Sequence, residues 1–150
     1  MPRRIHLECP SPKERIASLD AFRAQLGDSE AAGLAYLALS WDELAAAFEQ
    51  VGEVRRVRWN GRTVGFVWTE FRDRTLHLHA IVLRAEYRSR GIGTAVLRTL
   101  EREVCGRAEY FELGVQAGNT GALRFYERHG FRASDVPTAP GFRILRKPIS

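Results

Sequence analysis

The spacing of apolar residues changes period several times along the chain, and each change predicts an element. Arg4-Ile5-His6-Leu7-Glu8 alternates as a short strand that Pro10 and Pro12 end. Ile16, Leu19, Phe22 and Leu26 then recur three or four apart, predicting an amphipathic helix from Ser11 to Leu26 with Gly27 as its stop. A second helical region runs from Ser29 to Gln50, where Ser40 and Glu43 have the spacing of a capping box. The period then drops to two. Val54–Trp59 and Thr63–Glu70 read as strands joined by Asn60-Gly61, a strong hairpin signal. A turn around Arg72-Asp73 leads into a third strand, Thr75–Leu83. Three strands joined by short turns form an antiparallel meander, which excludes a Rossmann-type start.

Helical spacing returns with Ile92, Val96, Leu100 and Val104, four apart, and Gly106 ends that helix. Tyr110–Val115 is strand. Asn119 or Thr120 caps a short helix through Arg128, which Gly130 terminates. Phe131 and Phe142–Lys147 supply the last strand material. The expected architecture is α/β with a mixed central sheet. At 150 residues, without repeat or linker, the chain suits one domain, residues 1–150.

Composition narrows the function classes. Hydrophobic residues are 45% and charged residues 27%, which fits a globular chain and excludes a disordered one. No apolar run approaches the roughly 18–20 residues of a membrane helix, and the arginines of MPRRIHLECP precede no signal-like stretch. Cys9 and Cys105 lack disulfide-framework or metal-ligand spacing. The expectation is a reduced, cytoplasmic protein that uses no metal and no membrane. The net charge of +5 comes almost wholly from arginine, Lys13 and Lys147 being the two lysines. No like-charge block or basic-aromatic interleaving accompanies it, so nucleic acid is not the expected partner.

The chemistry concentrates in Arg88-Ser89-Arg90-Gly91-Ile92-Gly93-Thr94, between a strand and a helix. Two glycines flanking one residue allow a tight turn with successive N–H groups exposed. At a helix N-terminus those groups and the dipole favour an anion, and Arg88 and Arg90 add charge. The loop reads as a phosphate cradle. No Gly-Lys-Ser/Thr follows, so it is not a Walker loop, and Val96 occupies the third glycine position of the dinucleotide fingerprint.

The pattern R-x-x-G-x-G from Arg88 to Gly93 resembles the acyl-CoA-binding motif of the GNAT N-acetyltransferase superfamily. Asn119, Ala122, Tyr126, Gly130 and Phe131 are similar to that family's later motif, N-x-x-A-x-x-x-Y-x-x-x-G-F. The two motifs stand in the family's order, one helix and one strand apart, and span about a third of the chain.

This resemblance implies a mostly antiparallel mixed sheet flanked by helices and splayed where coenzyme A enters. It implies transfer of an acetyl group from acetyl-CoA to a primary amine by direct attack, through a tetrahedral intermediate. Backbone N–H groups of Ser89, Arg90, Gly91, Ile92, Gly93 and Thr94 would hold the pyrophosphate, with Arg88 beside them. Main-chain groups of Ile81, Val82 and Leu83 would pair with the pantetheine arm, and Asn119 would face it, or cap its helix, or both. Tyr126 corresponds to the family's general acid toward the departing thiolate; its other reading is a core tyrosine beside Phe125. Many relatives carry a glutamate base eleven residues before the first motif residue, and that position is His77 here. His79 shares its strand face. Another family site for the base, five residues before the asparagine, is Gly114, with Glu112 two residues earlier. His77, His79, Glu112 and water all stay open as the proton acceptor. Trp41, Asp42, Glu43, Trp68 and Glu70 offer either an acceptor surface or core. The acceptor, a small molecule or a protein amine, carries no motif. Dimers are frequent in the family and nothing in the sequence decides for one. A non-catalytic acyl-CoA-binding module is the alternative, prompted by the missing glutamate.

Overall fold

The computed structural model describes residues 4–26, 46, 47, 49–135 and 141–149. Its strands are β1 (Ile5–Glu8), β2 (Glu53–Trp59), β3 (Arg62–Arg72), β4 (Thr75–Leu83), β5 (Tyr110–Gln116), β6 (Arg132–Ala133) and β7 (Phe142–Pro148). Its helices are α1 (Pro12–Leu26), α2 (Ile92–Val104) and α3 (Thr120–Arg128). The strands form one sheet in the order β1-β2-β3-β4-β5-β7-β6. Every pairing is antiparallel except β4 with β5. The mixed, mostly antiparallel sheet with flanking helices is therefore the one expected.

Local chemistry explains the meander. Asn60 and Gly61 both take positive φ, 51° and 74°, as a two-residue turn that follows the strand twist requires. Asp73 and Arg74, at 52° and 60°, form the next turn, one residue later than the sequence predicts.

The two faces of the sheet are filled unequally. On one, Ile92, Val96, Leu97, Leu100 and Val104 of α2 pack on Val57, Val67, Leu76, Leu78, Phe111 and Leu113. Each such side chain contributes about 1.5–3 kcal/mol on burial, so α2 is the main anchor. On the other face α1 meets a smaller cluster of Phe22, Val54, Phe66 and Trp68.

The buried face of α1 differs from the one read from its apolar spacing. Ile16 is 71% exposed, whereas Ser18 and Phe22, one turn apart, are buried. A reciprocal Ser11–Glu14 capping box starts the helix, at 3.0 and 3.2 Å. Glu14 also binds Arg56 and Thr63 of the sheet, so Glu14, Ser18 and Phe22 form the inward stripe. The Ser18 hydroxyl is satisfied by the Arg15 carbonyl at 2.6 Å. Gly27, the Ser40–Glu43 cap, Trp41 and most of the second predicted helix lie outside the described residues; 46, 47, 49 and 50 at its end are helical.

Candidate active site

A single extra residue in β4 shapes the site. Trp68 pairs with Ala80 but Thr69 pairs with Leu78, so His79 is bulged out of the register. The bulge reverses the alternation of side chains. Leu76 and Leu78 face the α2 core before it; Ile81 and Leu83 face that core after it, while Ala80 and Val82 turn to the Phe22–Trp68 cluster.

Beyond the bulge the sheet parts. The parallel pairing of β4 with β5 runs from Thr75↔Tyr110 to Leu78↔Leu113 and stops, although both strands continue with their outer neighbours. The Arg84 N–H donates to the Val64 carbonyl at 2.9 Å, which fixes the phase of the β3–β4 ladder. In that phase the main-chain groups of Val82 point to β3, and those of Ile81 and Leu83 point into the cleft. Of the three strand residues named from the sequence, Ile81 and Leu83 therefore turn their main-chain groups to the cleft, and Val82 turns its own to β3. The Leu83 carbonyl accepts from Arg88 Nε at 3.2 Å, folding the loop over the strand end.

The cleft leads to the N-terminus of α2. Ser89 and Gly91 have φ of 60° and 80°, and Gly91 caps the helix with no side-chain bond. The first intrahelical bond is Ala95 N–H to the Gly91 carbonyl, so the N–H groups of Ile92, Gly93 and Thr94 have no helical acceptor. A cavity of about 640 Å³ opens against Gly91, Thr94, Arg98, Arg102 and Arg4. Unsatisfied donors and arginines together suit an anion. Arg90 lies 5.7 Å from the Tyr87 ring. Gly93 has a different reason from Gly91. A Cβ there would stand 3.3 Å from Phe125 Cζ, so its smallness lets α3 pack on α2.

On α3, the Asn119 side chain accepts from the Ala122 N–H at 3.1 Å, the capping role. Tyr126 packs edge-on to Phe125 and Phe131, at 5.3 and 5.7 Å. Burial pushes its phenol up to about 12, so it stays protonated, and its hydroxyl has no hydrogen bond among the described residues.

The face toward α1 carries a polar row across four strands. Glu70 of β3 lies 2.9 Å from His79 Nε2. The His79 ring sits 4.8 Å from Trp68 and 6.4 Å, stacked, from His77. His77 Nδ1 is 3.4 Å from Glu112 of β5, its register partner. Glu112, itself buried, receives Arg146 of β7 at 2.7 and 2.9 Å. Burial chiefly pushes the His77 imidazole below the ordinary histidine value, with the Glu112 charge opposing. Its ring is therefore neutral near pH 7, and its Nε2 makes no hydrogen bond among the described residues.

The structure thus gathers His77, His79 and Glu112, which the sequence offered as alternatives, into one network at the point where β4 and β5 part. Glu70 and Arg146 are the members that sequence reasoning missed as partners; cross-strand pairing alone reveals them. Trp68 is core, and Trp41, Asp42 and Glu43 lie outside the described residues. Among the described residues no cluster of metal-ligating side chains occurs, and no helix is long and apolar enough to cross a membrane.

Comparison with known proteins bears on the family and the fold. The family model described as the acetyltransferase (GNAT) family matches residues 30–131. An uncharacterised N-acetyltransferase of Methanocaldococcus jannaschii is 37% identical over 75 residues, 49% of this chain and 48% of that protein. A second from the same organism is 34% identical over 85 residues, covering 51% and 38%. The matches thus span half or less of those relatives' lengths. The ribosomal-protein-S18-alanine N-acetyltransferase of Escherichia coli superimposes with TM-score 0.68 at 22% identity, covering 98% of this chain and 95% of that one. PaiA N-acetyltransferase from Thermoplasma acidophilum, in complex with coenzyme A, gives 0.70 at 16% identity, with coverage of 97% and 99%. These likenesses carry the fold.

Proposed function

This chain belongs to the acetyltransferase (GNAT) family, and from that premise we propose that it transfers an acetyl group from acetyl-CoA to a primary amine. One observation carries the reading: among the described residues, the edge of β4 beyond Leu78 is unpaired and runs directly into a loop whose N–H groups have no backbone acceptor. An extended amide chain pairs with the cleft-facing main-chain groups of Ile81 and with the Leu83 N–H by strand addition, the Leu83 carbonyl being taken by Arg88. Its pyrophosphate then reaches the N–H groups of the Ser89–Thr94 loop, near Arg88 and Arg90. The thioester comes to lie by the His79 bulge, with the histidine row on the acceptor side.

His77 Nε2 takes a proton from the incoming ammonium, and the amine attacks the thioester carbonyl carbon. The oxyanion so formed is met by a backbone N–H of the free β4 edge. Collapse breaks the carbon–sulfur bond, the Tyr126 phenol gives its proton to the departing thiolate, and the second proton shed by the acylated nitrogen returns through solvent to the Tyr126 oxygen. Glu112, held by Arg146, fixes the His77 ring in place and favours its Nδ1–H tautomer.

The test is release of free thiol from acetyl-CoA in the presence of a panel of small amines and peptide N-termini. Amine-dependent release supports the reading. Calorimetric binding of acetyl-CoA with no release for any amine overturns it in favour of a binding module.

A further inference from the structure

His129 follows α3 and reaches α2. Its Nδ1 lies 2.7 Å from the Phe125 carbonyl and its Nε2 lies 3.0 Å from Thr94 Oγ1. A carbonyl only accepts, so Nδ1 carries a hydrogen and donates. In the neutral ring Nε2 is bare and accepts from the Thr94 hydroxyl, whose single hydrogen is then used. In the protonated ring Nε2–H donates to Thr94 Oγ1, and the hydroxyl hydrogen is released. Thr94 is the third residue of α2, where the N–H groups are unsatisfied.

We propose that His129 is a positioning residue for the CoA pyrophosphate, and that its protonation frees the Thr94 hydroxyl to donate to a phosphate oxygen. The inference rests on the reading that coenzyme A docks at this loop. By linkage, bound CoA must then favour protonated His129, and protonation must tighten CoA by the same factor. Several charged groups stand on the elements packed around His129. On α2 stand Arg98 and Glu101, the latter paired with Lys147 of β7 at 2.9 Å. On α3 stand Arg124, Glu127 and Arg128; Arg132 caps the Glu127 carbonyl, and Arg88 and Arg90 lie in the loop. Among the described residues none of these bonds to the His129 ring. The phosphate monoester of CoA gains a proton on acidification, which opposes the expected trend.

The experiment follows the His129 ring signals by NMR against pH, with and without CoA, beside calorimetry at pH 5.5 and pH 8. CoA should move the titration of His129 to higher pH, and pantetheine, which lacks phosphate, should not. The affinity of the parent should fall about tenfold more between the two pH values than that of His129→Gln or Thr94→Val. Bound CoA with an unmoved His129 titration, or a His129→Gln variant with the parent's pH dependence, overturns the proposal while leaving the docking site intact. No CoA binding at either pH overturns both together.

Discussion

Two polar clusters cross the same face of the sheet, and they are built for opposite ends. At the β1–β2–β3 edge, Glu14 of α1 accepts from Arg56 and Thr63, each at 2.7 Å, and Arg56 also holds Glu8. Burial alone would raise the Glu14 carboxyl. The Ser11 N–H, the Thr63 hydroxyl and the Arg56 guanidinium outweigh it and bring the group to about 2. The Glu14 carboxylate and the Arg56 guanidinium therefore both keep their charge near neutral pH. At the β4–β5 parting, by contrast, two histidines are each set against a carboxylate, and burial lowers one of them. Permanent charges lock an element in place; groups that titrate near neutrality can exchange protons. This difference is what favours the histidine row over the Glu14 cluster in the proposed chemistry.

Substitution should separate the two. His77→Gln is expected to reduce turnover about 10²-fold, the lower range for loss of a general base. Acetyl-CoA affinity, measured by calorimetry, should stay within about twofold, since the base lies off the phosphate loop. Glu14→Gln should do the reverse, leaving turnover unchanged and costing about 1.5–3 kcal/mol in urea unfolding at pH 7. The folded carboxyl is depressed below its unfolded value. Its contribution is therefore full above the ordinary value of 4.5 and lost as pH falls toward about 2. Parent and variant stabilities should converge over that acid window. A turnover loss in Glu14→Gln, or unaltered turnover in His77→Gln, would erase the distinction between the clusters.

Much of this was legible in the sequence, for reasons that are local. The four-residue spacing of Ile92, Val96, Leu100 and Val104 needs only a helix against a sheet, and those residues are buried. The Asn60-Gly61 hairpin and the Asn119 cap depend on neighbouring residues alone. The bulge was not read, although its trace is present. Leu76 and Leu78 are out of phase with Ile81 and Leu83, and a single inserted residue reconciles them. The pairing of His77 with Glu112 depends on a parallel register set by the α2 crossover, which no local pattern encodes. Ile16 misled for a related reason. The capping box and the Glu14–Arg56 pair set the face of α1, and the apolar spacing did not. Gly93, grouped with Gly91 as a phosphate glycine, owes its size to Phe125 on a distant helix.

The most direct test of the account is the pH dependence of kcat/KM for the parent, His77→Gln and His79→Gln. The account predicts a limb in the parent that falls with acid below the ordinary histidine range, because burial holds His77 neutral until then. It predicts that His77→Gln abolishes the limb and that His79→Gln retains it. A limb lost in His79→Gln and kept in His77→Gln would contradict the assignment and place the proton acceptor at the bulge itself.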